Sequence, residues 1–342
     1  MCRNVSRRPV RAGPAKQCST DFLPPTAMSQ KYRLVTRSDF DGLVCAMLFK
    51  ELDMIDEITF VHPKDMQDGK VRITRNDITT NLPFVPGAHL VFDHHASEVV
   101  RNRAFLGNYI IDPHAPSAAR VVYNHYGGKA RFPAITEELM EAVDKADSAQ
   151  YSLDEILHPT GWTLLNYLMD ARTGLGRFRE FRISNYALMM ELIQHCRDLP
   201  VEQVLQLPDV QERVELYFEQ TERACEQIQR CATVHDNLVV LDLRGEETIW
   251  ATNRFMIYAL YPQCNISIHA MWGKAKANAV FATGKSILDR GCTTNVGELM
   301  LQYGGGGHLA AGTCQIAHDS SEQVLAELVA RITADHRQAV PA

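Results

Sequence analysis

No CxxC pair occurs in the chain. Its nine cysteines (Cys2, Cys18, Cys45, Cys196, Cys225, Cys231, Cys264, Cys292 and Cys314) are scattered and odd in number. Neither a zinc knuckle nor a disulfide framework is therefore indicated, and the thiols suit a reducing, cytoplasmic setting. No apolar run approaches the ~18 residues that a membrane span needs. Positive charge is not in excess either. A net charge of −6 argues against a protein that wraps long nucleic acid through a broad basic surface, and leaves room for a local basic groove. Internal repeats and low-complexity tracts are lacking as well. What is present is a chain of 342 residues, 46% hydrophobic and 22% charged, the composition of a soluble globular protein long enough for two domains.

Residues 1–28, "MCRNVSRRPVRAGPAKQCSTDFLPPTAM", hold five basic residues and one acid, with no amphipathic period and no apolar core of a secretory signal. They read as a disordered tail, or as sequence ahead of a true start at Met28. An organelle transit peptide is the less favoured alternative. From Tyr32 the pattern becomes regular. "YRLVT", "EITFVHP", "HLVFD" and "YIID" are short strand-like runs that end in polar residues. "GLVCAMLFKELD" and the segments at about 116–126 and 135–150 are helical. Strands alternating with helices predict an α/β fold with a mostly parallel sheet, whose ligands collect at the carboxyl ends of the strands. Residues 151–234 form a helical connecting segment, including two helices that flank the proline-punctuated "LPVEQVLQLP". "NLVVLDL", "NISIHAMW", "NAVFATG" and a closing helix, with Ser320 and Gln323 spaced as a capping box, predict a smaller α/β unit at about 235–337.

Acids and histidines recur at the ends of these elements. "TRSDFDG" places Asp39 and Asp41 two apart between a strand and a helix, a spacing that turns both carboxylates to one side of extended chain. Alone it also reads as a helix N-cap at Asp41 beside a solvated acid. Asp77 follows a short β-rich run and alone reads as an Asx turn. "VFDHHAS" sets Asp93, His94 and His95 side by side. Asp144 and Asp147 share a helix face. Carboxylates gathered with one or two imidazoles suit hard-to-borderline ions, Mn²⁺ or Mg²⁺, and without metal they would repel and raise one another's pKa. Two such ions about 3.5–4 Å apart can clamp a phosphoryl group and generate hydroxide at neutral pH. "QYGGGGHLAAGT" adds Gly304, Gly305, Gly306 and Gly307 before His308, where missing Cβ atoms let backbone N–H groups approach an anion.

"SDFDG", "FDHH" and "YGGGGHLAAGT" occur in the order seen in DHH/DHHA1 phosphoesterases, and the resemblance spans about residues 31–337. That family includes nanoRNases, pAp phosphatases, RecJ exonucleases and cyclic-dinucleotide phosphodiesterases, with family II pyrophosphatases as relatives. The resemblance implies a metal-binding DHH domain at 31–150 and a substrate-gripping DHHA1 domain at 235–337. It implies that Asp39 holds a first metal and Asp41 a second, that Asp77 bridges both, and that His94 and Asp147 complete the second. Asp144 is the fallback for Asp147. Asp93 is implied as a supporting acid, while His95 and His308 meet the substrate phosphate. Lys285 and Ser286 of "FATGKSI" take the place of the family's basic residue and serine; lysine there is a point charge rather than a fork. The sequence departs from the family at Val35, where many members carry a histidine that ligates the first metal. His62 and His89 are weaker substitutes. Arg172, Arg177, Arg179 and Arg182 form either a guide for polyanions or a solvated face, and Phe178 and Phe181 read as core.

The expected function is hydrolysis of short linear nucleotides (pGpG, pApA or pAp) to mononucleotides by a metal-bound hydroxide. Two Mn²⁺ are expected, with Mg²⁺ as the alternative. A cleft between two domains has little room for duplex DNA, no membrane partner is expected, and a homodimer is compatible. Two rival readings stand beside it: an exopolyphosphatase or pyrophosphatase acting on inorganic chains, and a nucleotide-binding sensor with impaired catalysis, motivated by Val35.

Overall fold

The computed structural model describes residues 30–95, 107–178 and 180–339. The readings of residues 1–28 and of Arg179 lie outside them. Five short strands, β1 (Tyr32–Arg37), β2 (Ile55–Val61), β3 (Asp77–Thr80), β4 (Leu90–Asp93) and β5 (Tyr109–Ile111), pair in the order β2-β1-β3-β4-β5. Every pairing is parallel. β1 is buried through Leu34, Val35 and Thr36, the near-continuous run of a strand covered on both faces. The covering helices are α1 (Phe40–Glu51), α2 (Pro63–Gln67), α3 (Ala118–His125) and α4 (Glu137–Asp147).

Phe40 to Phe49 are all buried, so α1 is a central helix with no solvent face. Its close approach to β1 depends on Gly42. A Cβ there would lie 1.9 Å from the Arg37 carbonyl oxygen. This contact, more than turn flexibility, is why glycine stands in "SDFDG".

Further helices are α5 (Leu153–Leu157), α6 (Gly161–Met169), α7 (Asn185–Asp198), α8 (Val201–Val204) and α9 (Pro208–Cys231). The last runs directly into a second sheet of β6 (Ala232–His235), β7 (Leu238–Asp242), β8 (Ile266–Trp272), β9 (Asn278–Lys285), β10 (Gly306–Gly307) and β11 (Ala311–Ala317), ordered β10-β11-β9-β8-β7-β6. Only β7 and β8 pair in parallel. Strand alternation divides β7 between two cores. Val239 and Leu241 join the core that runs through the connecting helices to the first sheet, while Leu238 and Val240 face a separate core. α10 (Met256–Leu260) belongs to the former, and α11 (Val296–Gln302) and α12 (Ser321–Ala339) cover the latter.

The expected capping box at Ser320 and Gln323 does not form. Ser320 lies in a 3-10 turn, the Ser321 hydroxyl donates to the His318 carbonyl at 2.8 Å, and Gln323 donates to Glu327. The seven cysteines among the described residues are free thiols.

Candidate active site

The carboxyl ends of β1, β3 and β4 deliver Arg37, Asn81, Asp93 and His94 to one edge of the parallel sheet, with Asp39 and Asp41 at the start of α1 and Asp147 at the end of α4. Asp41, His94 and Asp147 each offer a ligand atom, and these atoms all lie within 4.8 Å of one another. Asp41 is held from behind. Its Oδ2 accepts from Ala118 N–H at 3.0 Å and its Oδ1 from Ala119 N–H at 2.7 Å, a carboxylate seated on the N-terminus of α3. His94 Nδ1 lies 3.2 Å from the Ala115 carbonyl oxygen, so Nδ1 keeps a proton and Nε2 is the nitrogen freed to ligate when the ring is neutral. Nε2 is 2.8 Å from Asp147 Oδ2 and is buried, yet makes no hydrogen bond of acceptable angle. The two atoms sit side by side, as two ligands of one ion do.

The electrostatics agree. Burial, and then the charge of Asp147, push the Asp41 carboxyl up to about 7. Burial would pull the His94 imidazole down, but Asp147 outweighs it and raises it to about 9. Burial likewise opposes ionisation of Asp147, and His94 overcomes it, leaving that carboxyl low. The pocket thus holds extra protons in place of a cation. Two carboxylate oxygens and one imidazole nitrogen fit a divalent ion such as Mn²⁺.

Asp39 is provided for differently. It is the N-cap of α1, the place the sequence reading offered to Asp41: its Oδ1 accepts from Gly42 N–H at 3.0 Å and from Asn81 Nδ2 at 3.4 Å, and Arg37 Nε lies 2.8 Å from its Oδ2. Asp93 is fully buried. Its Oδ1 accepts from the backbone of His94 (2.8 Å) and His95 (3.3 Å) and lies 2.7 Å from His95 Nδ1. Burial opposes a charged His95, but Asp93 more than compensates, so the imidazole is raised. The His95 ring stacks on His308 at 5.6 Å between centroids.

Several expected residues stand elsewhere. Asp77 opens β3 and pairs in register with Arg33, at the amino end of the sheet, where Arg33 Nε binds its Oδ1 at 2.8 Å and Thr74 N–H its Oδ2 at 2.6 Å. Four residue steps, roughly 13 Å, separate it from Asn81 just past the end of β3, and Asn81 is the residue that reaches Asp39 there. Asp77 therefore cannot bridge the cluster. Val35 is packed with Met66 and Leu82. His62 caps α2 through Nδ1, and His89 stacks on Tyr32 at the far end of the sheet. Asp144 is bound by Ser117 and Arg120.

In the second sheet, two of the four glycines have a packing reason and a third a conformational one. Gly304 has φ +73°, and a Cβ on Gly305 or Gly307 would come within 2.1 or 2.2 Å of β11 backbone oxygens. Gly306 alone of the four has neither a clash nor a positive φ. The Lys285 ammonium donates to the Cys292 carbonyl at 3.0 Å, and the Ser286 oxygen accepts from Leu288 and Asp289 N–H groups at 3.1 Å.

Two cavities flank the cluster. One, of about 900 Å³, is lined by Asp147, Arg172, Arg254, Lys285, Ser286 and Gly306 among others. The second, of about 640 Å³, includes Arg37, Asp39, Asn81, His95 and His308 in its walls. Arg172 and Gly307 line both. Asp170 orients Arg172 through Nε contacts of 2.7 and 3.0 Å, with Arg254 Nε 3.7 Å from the same carboxylate, leaving one surplus positive charge in the cleft. Sequence reading missed Arg37, Asn81 and Arg254. The only signal for Arg37 was its i, i+2 spacing to Asp39. Phe178 packs on the core as expected, whereas Phe181 is half-buried outside the core clusters with the Arg213 guanidinium over its ring, and Arg182 is an exposed partner of Asp209.

A solved structure of a "pGpG-specific phosphodiesterase", PggH of Vibrio cholerae, is 65% identical to this chain, covering 89% of it and 100% of its own length, with a TM-score of 0.76. The chain belongs to the DHH family of phosphoesterases. It is a hydrolase of that family. An exopolyphosphatase-related DHH-type structure from Bacteroides fragilis (14% identity, 89% and 93% of the two chains, TM-score 0.51) and the exonuclease RecJ bound to manganese (13%, 89% and 90%, TM-score 0.51) share the fold. No family model matches the chain, and no curated protein sequence does.

Proposed function

We propose that this DHH enzyme cleaves the phosphodiester of short linear nucleotides, dinucleotides such as pGpG foremost, to mononucleotides. The observation that carries the reading is the pair of cavities that share Arg172 and Gly307, one walled by Asp147 of the Asp41, His94 and Asp147 cluster and the other by Asp39 and His95 beside it. Volumes of about 900 and 640 Å³ each suit one nucleoside, with the linking phosphate at the junction. The 65% identity to a pGpG-specific phosphodiesterase supports the same substrate class. An inorganic polyphosphate has no use for two partly apolar chambers.

Asp41, His94 and Asp147 would hold a divalent ion, with Mn²⁺ favoured over Mg²⁺ by the imidazole. When bound, the ion supplies acidification of water and screening of phosphate charge. The protein's own groups do the rest. Arg37 and Arg172 face the non-bridging oxygens. Asp93 fixes the His95 Nδ1 proton, which leaves Nε2 as the nitrogen that meets the phosphate or protonates the departing oxygen. The half at 31–150 supplies the ion and His95. The half at 235–337 closes the other wall with Lys285, Ser286, Gly306, Gly307 and His308. Arg172 and Arg254, sharing Asp170, form a site for a second phosphate such as a 5′-terminal one. No helix among the described residues is long and apolar enough to cross a membrane.

The test is a Mn²⁺-dependent hydrolysis panel of pGpG, pApA, pAp, cyclic dinucleotides, longer RNA and polyphosphate. Release of nucleoside monophosphate from the linear dinucleotides is expected. Faster orthophosphate release from polyphosphate would overturn the reading.

A further inference from the structure

We propose that this site takes one divalent ion, at Asp41, His94 and Asp147, and that the Arg37 guanidinium supplies the positive charge a second ion would otherwise bring. The inference rests on the metal reading given under Proposed function and concerns what the remaining acids do. Asp39, the acid a neighbouring ion would need, already has its oxygens engaged by Gly42 N–H, Asn81 Nδ2 and Arg37 Nε at 3.0, 3.4 and 2.8 Å. The position from which a bridging carboxylate would reach Asp39 is occupied by Asn81, which presents its N–H to Asp39. With the donor end there, the amide adds no negative charge for an ion. Asp77 is committed to Arg33 and Thr74 at the other end of the sheet, and Val35 is buried among apolar side chains.

Charge bookkeeping gives the same answer. Asp41 and Asp147 neutralise one divalent ion, and Arg37 neutralises Asp39. A second ion would add two uncompensated charges beside Arg37, with Arg172 in the same cavity wall. The contrast is sharpest at His94. Its Nε2 is buried against Asp147 Oδ2 at 2.8 Å with no properly formed hydrogen bond, whereas both Asp39 oxygens have protein donors, and the one unpartnered buried atom beside them, Asn81 Oδ1, is a neutral amide oxygen.

The experiment titrates the metal-free, full-length protein with Mn²⁺, reading bound ions per chain by EPR and elemental analysis. One ion is expected, with the six-line spectrum of isolated Mn²⁺. Two ions with an exchange-coupled signal would overturn the proposal alone, and no uptake would overturn the metal reading beneath it. Asp39→Asn keeps the N-cap acceptor, since Asn caps as well as Asp. It should bind one ion with affinity within about threefold of the parent. Asp147→Asn should weaken binding by more than ~100-fold, beyond the effect of an outer-shell change. Equal loss in both variants would make Asp39 a ligand and sink the idea. Arg37→Ala should retain one ion, lose about 10²–10³ in kcat on pGpG, and regain activity with added guanidinium. Unchanged kcat would remove Arg37 from the stand-in role.

Discussion

Metal uptake should release protons, and the site's electrostatics set how many. In the metal-free cluster both the Asp41 carboxyl and the His94 imidazole are raised, to about 7 and about 9. At pH 7 the first is half protonated and the second almost wholly so. Both must be deprotonated to serve as ligands, so binding one ion should displace ~1.5 protons at pH 7, nearly two at pH 6 and ~1 at pH 8. The sign follows from the direction of the shifts: groups that hold protons too tightly compete with the ion, so affinity rises with pH. Near neutrality the apparent Kd for Mn²⁺ should fall by ~30-fold per pH unit, the slope that 1.5 displaced protons give. Isothermal titration calorimetry in buffers of different ionisation enthalpy counts the protons directly at each pH. An affinity that is flat from pH 6 to 8, with no buffer dependence of the heat, would refute the picture of a cluster in which protons occupy the place of a cation.

The metal-free protein should also lose stability as pH rises. His94 is raised above its unfolded value, so its contribution is complete below about 6.5 and disappears as pH passes through about 9; the shift is worth ~3 kcal/mol, visible as a Tm that falls across that window and ceases to fall when Mn²⁺ is bound. Asp77→Ala should leave Mn²⁺ affinity unchanged and cost ~1–3 kcal/mol in urea unfolding, because it breaks the Arg33 and Thr74 contacts and leaves their donors unpaired; loss of metal binding would return Asp77 to the site. Gly42→Ala should destabilise by more than ~3 kcal/mol or prevent folding, since its Cβ meets backbone 1.9 Å away rather than a movable side chain, and a near-native melting curve would contradict that contact.

Much of this architecture was legible in the chain. The alternation of short apolar runs with helical stripes gave the parallel sheet, and with it the edge where Asp39, Asp41, Asp93 and His94 meet, because ligands gather at carboxyl ends. The family resemblance ranked Asp147 ahead of Asp144, and the structure shows how the two differ: Asp144 is spent on Arg120 and Ser117. The glycine run was visible too, but its reason was not. A Cβ clash with β11 can be known only once β10 and β11 are paired.

The misplacement of Asp77 has a physical cause with consequences for the chemistry. "RIT" before it looked like a strand, which would have put Asp77 at a carboxyl end, but residues 71–76 are loop and the strand begins at Asp77 itself. A strand of four residues carries too little periodicity to fix where it starts. Shifting the reading by that length exchanges an acid for an amide at the edge of the cluster, because the chain leaves β3 at Asn81. An acid there would have added one carboxylate without a counter-charge, the donor another ion would need. An amide, donating to an Asp39 already paired with Arg37, leaves Asp41 and Asp147 as the negative charges still to be balanced, and one divalent ion balances them.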